Sequence, residues 1–61
     1  MEELYIKAIK GAILKMKNPN TTEDERTEAM RTAGRNLGKL KHVNNGMHED
    51  LQKQYIDCLP V

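Results

Sequence analysis

The sequence predicts an all-α fold, a small helical hairpin built up to a three-helix domain, with two longer helices and a short C-terminal one. Three observations carry this. Apolar residues recur at three-and-four spacing in three separate stretches. These stretches are separated by Asn18-Pro19-Asn20 and Asn44-Asn45-Gly46, which read as turn chemistry. No alternating run is long enough for a strand.

The first helix is expected from Glu2 to Lys17. Ile6, Ile9, Ile13 and Met16 form its buried stripe, widened by Tyr5, Ala8 and Ala12. Glu2 and Glu3 suit the positive N-terminal end of the helix dipole, and Lys15 and Lys17 the negative C-terminal end. Asn18 precedes a proline and is thereby pushed out of the helical region. Leu4 and Leu14 fall off the stripe on the side of Gly11; ordinary exposed leucines are the favoured reading, ahead of a second contact face.

Thr22 followed by Glu25 is a capping-box pattern, with the hydroxyl accepting from the Glu25 amide and the carboxylate returning to the Thr22 amide. The second helix starts there and runs to the Asn44-Asn45-Gly46 turn. Its apolar face is Ala29, Met30, Ala33, Leu37 and Leu40, with Val43 on the flank. Leu37 is the largest apolar residue in its middle, which places it at the centre of the core. The third helix is expected from about Met47 to Leu59, with Met47, Leu51, Tyr55, Cys58 and Leu59 on one side and Pro60 as its stop. Short connections of about three to five residues fit antiparallel neighbours.

We expect residues 1–61 to form one domain close to the lower size limit. A chain this short buries only about 60% of its unfolded surface. Here 38% of residues are hydrophobic, and none is Phe or Trp. Scaffolds of this size usually need disulfides, a metal or association. Cys58 is the only cysteine, so an internal disulfide is excluded, and the expected route to stability is a homo-oligomer. A lone cysteine without a signal-peptide pattern also suggests a cytoplasmic setting. The apolar runs are too short to span a bilayer, so no membrane role is expected.

The stretch RTAGRNLGKLKH raises the main functional question. At 100° per residue, Arg31, Gly34, Arg35, Gly38 and His42 lie on the side of the second helix opposite its apolar stripe. A glycine in a helix interior costs about 1 kcal/mol relative to alanine, so an outward-facing pair is unfavourable unless something approaches the backbone. Three readings follow. Two copies of the helix could cross there; an anion such as a nucleotide could lie over the glycines, held by charge-assisted donors from Arg31, Arg35 and His42; or the face is simply solvated.

The net charge of +1 falls well short of the basic footprint of an autonomous nucleic-acid binder. Glu49 and Asp50 would meet the phosphates if the third helix served as a recognition helix, so nucleic-acid binding ranks third. His42, His48, Asp50 and Cys58 match no structural zinc spacing, and we expect no metal or cofactor. The chain also offers little room for a cleft with nucleophile, base and oxyanion donors. The expected function is therefore non-enzymatic: a small helical modulator or inhibitor that makes stoichiometric contact with a partner protein. The alternative is a sequestering module for a small anionic ligand.

Overall fold

The computed structural model describes residues 2–59. It contains α1 (Glu2–Lys17), α2 (Glu23–Val43) and α3 (Asn45–Asp57), with no strand among the described residues. The all-α expectation holds. Helix α2 has 21 residues, about 31 Å at 1.5 Å per residue, and the longest extent of the molecule is 32 Å. α2 is thus a spine running the whole length of the fold. α1 packs along it as the main partner, while α3 leans chiefly on α2 and only lightly on α1.

The first turn is held by the residues that predict it. The Asn18 side chain accepts from the Asn20 amide at 2.9 Å, and the Asn18 carbonyl accepts from the Thr21 amide at 3.2 Å. Thr22 is the N-cap of α2, its hydroxyl accepting from the Glu25 amide at 3.2 Å. The other half of the cap differs from the expected capping box: the Thr22 hydroxyl donates to Glu25 Oε1 at 2.8 Å, so the carboxylate meets the hydroxyl instead of the backbone amide.

The second connection is much tighter than a three-residue turn. Asn44 alone is non-helical, serving as C-cap of α2 and N-cap of α3. Its amide donates to the Leu40 carbonyl at 2.8 Å, and its carbonyl accepts from the His48 amide at 3.0 Å. Its side chain accepts from the Met47 amide at 3.1 Å and donates to Glu2 Oε1 at 2.7 Å. One amide side chain therefore caps a helix and ties the start of α1 to the α2–α3 corner. Because Asn44 caps so completely, α3 starts at Asn45, two residues ahead of the expected Met47. Asn45 and Gly46 lie inside its first turn, and no glycine among the described residues has positive φ. α3 ends at Asp57, short of Leu59, and Pro60, its expected stop, lies outside the described residues.

The core consists of two clusters along α2. Ile9 and Ile13 meet Leu37, Leu40 and Leu51 at one end; Ala12 and Met16 meet Ala29 and Ala33 at the other. Tyr55 and Cys58 of the third segment touch both. The alanines let α1 and α2 approach closely, while the larger side chains gather where α3 closes the fold. Leu37 is buried as expected, but the deepest side chains are Ile9, Leu40 and Leu51, each at 0% exposure. Val43, expected on the flank of the stripe, is 53% exposed. Tyr55 reaches further inward than a wet hydroxyl: it makes a long 3.5 Å hydrogen bond to the Met30 carbonyl.

Candidate functional site

The outward side of α2 begins with the phase of its core. Ala29, Ala33, Leu37 and Leu40 are buried, and the 3.6-residue period turns the five candidate residues the other way. Arg31, Gly34, Arg35, Gly38 and His42 are all exposed. The structure brings them onto one face. A Cβ added at Gly34 or at Gly38 would meet nothing within 4 Å, so neither glycine is required by packing inside the fold.

The cations on this face outnumber the carboxylate nearest them, Glu28, three residues before Arg31. Arg31, Arg35 and Lys39 follow one another at four-residue spacing, and all three are exposed. Like charges at that spacing destabilise a helix by about 0.2–0.5 kcal/mol per pair. None of the side-chain hydrogen bonds among the described residues uses Arg31, Arg35 or His42. The neighbouring polar side chains are spent locally: Thr27 donates to the Glu23 carbonyl at 3.0 Å and Asn36 to the Thr32 carbonyl at 2.7 Å. A bare backbone strip flanked by free guanidinium groups is chemically suited to a carboxylate or phosphate.

The other titratable candidates are dispersed. His48 is not grouped with His42; its Nδ1 lies 2.8 Å from the Leu37 carbonyl. A carbonyl can only accept, so Nδ1 carries the proton in this bond. The ring thus ties α3 to α2. Cys58 is a free, half-buried thiol at the end of α3. No group of three or more His, Cys, Asp or Glu side chains among the described residues is gathered to hold a metal. No helix among them is long and apolar enough to cross a membrane.

A second surface lies on α1, at the two leucines that the sequence marks as off the buried stripe. On α1, Leu4 and Leu14 are 66% and 68% exposed, and with Lys7 and Gly11 they line one shallow groove. Their signal was a three-four-three spacing. It was masked because a lysine and a glycine hold two of its four positions.

Comparison with known proteins finds no matching family model, no matching curated protein and no matching solved structure.

Proposed function

We propose that this chain is a non-enzymatic helical binding protein that acts by stoichiometric contact with a partner protein, in the cytoplasm and as a homo-oligomer. The outward face of α2 is its contact surface for the partner. One observation carries the reading: Gly34, Gly38 and the Arg31/Arg35/Lys39 run all weaken α2 locally, yet nothing packs into the space over the glycines and no side-chain hydrogen bond among the described residues takes up Arg31 or Arg35. In a domain of marginal stability, local rules broken without internal compensation mark functional surface. The face carries cations, with exposed apolar surface only at its C-terminal end at Val43, so the matching partner surface is acidic. Two copies of α2 crossing at the glycines would set Arg31 and Arg35 against their equivalents, which disfavours this face as the self-contact.

A second reading has its own support. Exposed backbone between two free guanidinium groups also fits a small anion such as a nucleotide, which the chain would sequester.

Capture from extract of the source cells separates the two. Wild-type chain should retain a defined acidic protein that the Arg31→Glu/Arg35→Glu variant loses. Retention of the same protein by both refutes the assignment of the face. A nucleotide that binds the purified chain, and is lost in the variant with no protein captured, favours the second reading. Binding through these charges should weaken as salt is raised.

A further inference from the structure

We propose that the outward face of α1 is a self-association seam, on which a second copy of the chain packs its own α1 antiparallel to the first. This rests on the homo-oligomer reading and assigns its interface. Leu4, Lys7, Gly11 and Leu14 follow the three-four-three spacing of coiled-coil core positions. They lie directly opposite the buried Ile9, Ile13 and Met16 of the same helix. All four are exposed.

The seam is complementary to itself in one register. With the helices antiparallel, Leu4 faces Leu14 of the second copy, and that same alignment sets Lys7 over its Gly11. A Cβ at Gly11 would meet nothing within 4 Å, so the hollow it leaves takes the aliphatic stem of the lysine while the ammonium reaches water. The flanks agree at both ends. Glu3 and Lys17 are exposed on the same side of the seam, and two-fold symmetry brings Glu3 of each copy to Lys17 of the other. Opposite charges on such flanking positions set partner and orientation in helix pairs. Opposing these, Lys10 meets its own equivalent near the symmetry axis, and Lys7 brings a further like charge beside it. A parallel pairing forfeits the arrangement, since it sets Lys7 on Lys7 and Gly11 on Gly11 and separates Glu3 from Lys17.

A single pair of 16-residue helices covers much less than the roughly 800 Å² per partner of a standard interface. The dimer is therefore weak, and its mass must be followed by sedimentation equilibrium from about 10 μM to about 1 mM. The expected mass climbs from 7.0 kDa toward twice that value. Leu14→Asp should weaken association at least tenfold with helical content intact, because its side chain supports nothing in the monomer. Glu3→Lys and Lys17→Glu should each weaken it, and the two together should restore it. Restoration cannot come from monomer stability, since both changes oppose the helix dipole. Lys10→Gln should tighten the dimer. In a Cys58→Ser background, Leu4→Cys chain should form a disulfide with Leu14→Cys chain and not with itself.

A mass that stays at 7.0 kDa up to about 1 mM overturns both this seam and the homo-oligomer reading. A dimer insensitive to Leu14→Asp, but lost on changing Gly34 and Gly38 to alanine, overturns the seam and keeps the oligomer. Disulfide formation of the Leu4→Cys chain with itself overturns the antiparallel register. A monomer that binds phosphatidylserine vesicles through Leu14 and the lysines overturns the seam in favour of a lipid surface.

Discussion

Replacing Gly34 and Gly38 together with alanine adds two methyl groups to the outward side of α2, where each new Cβ meets open space. The folded monomer therefore bears no steric cost. Each substitution gains the helix-propensity difference of about 0.8–1 kcal/mol, so the pair should stabilise the monomer by roughly 2 kcal/mol. Part of this gain comes from an unfolded chain with fewer backbone states to lose. At about 4–8 °C per kcal/mol for a small domain, the melting temperature should rise by about 8–16 °C. Circular dichroism melts and urea titration on dilute protein, where association is negligible, measure the effect directly. An unchanged or lowered melting temperature would mean that the glycines serve the monomer fold and that the case for a contact face fails at its first step. The second readout is binding. A ligand or partner lying on the backbone should lose affinity against the same stabilised variant, whereas a merely solvated face leaves affinity untouched. Stability and binding thus move in opposite directions only if the face is used.

Leu37→Ala should cost about 2–5 kcal/mol and leave the chain largely unfolded, because the side chain is 5% exposed within the larger core cluster; a loss below about 1 kcal/mol in urea would contradict this packing. Asn44→Ala should cost about 1–2 kcal/mol, since it removes the cap of α3 and the link to Glu2 at once; retention of wild-type stability would show that water replaces both bonds. His48→Ala should lower stability by about 0.5–1.5 kcal/mol through loss of its bond to the Leu37 carbonyl, and hydrogen exchange should show α3 opening first. Arg26→Met should be neutral or stabilising by about 1 kcal/mol, because Arg26 Nε is buried without a hydrogen-bond partner while methionine keeps an apolar stem of similar reach; clear destabilisation would mean that the guanidinium makes a compensating contact.

The architecture was legible because each helix carries its own instructions. The phase of Ile9, Ile13 and Met16, and of Ala29, Ala33, Leu37 and Leu40, is set by burial, and burial imposes the helical period on the sequence. The capping residue Thr22 marks a helix start that depends only on local hydrogen bonds. The errors sit where local chemistry is ambiguous. Asn44-Asn45-Gly46 is a strong turn signal in isolation, yet Asn44 completes the turn alone because Glu2, 42 residues away, holds its side chain in the capping geometry. That contact has no periodic trace. His48 was likewise legible as a first-turn residue but not as a link to Leu37, since a side chain bonded to the carbonyl of another helix leaves no spacing rule behind.

The two outward faces differ in how much of their meaning a single chain can carry. The α2 face announces itself through cost: glycines and clustered cations violate helix preferences, and a violation is visible without knowing the partner. The α1 face violates helix preferences at one position only. Leu4 and Leu14 are good helix formers, Lys7 and Lys10 suit an exposed surface, and Gly11 alone is unfavourable. Its pattern becomes a statement only when a second α1 is laid against it in the antiparallel register, where leucine meets leucine and lysine meets glycine. If α1 pairs as proposed, a core this small gains from the association by mass action, and the charge-bearing α2 face would be stabilised by a contact made on α1. The consequence is a link between the two surfaces: Leu14→Asp should lower the melting temperature of concentrated protein without touching Arg31 or Arg35, and by clearly more than that of dilute protein, where only the small cost of an aspartate in the last turn of α1 remains.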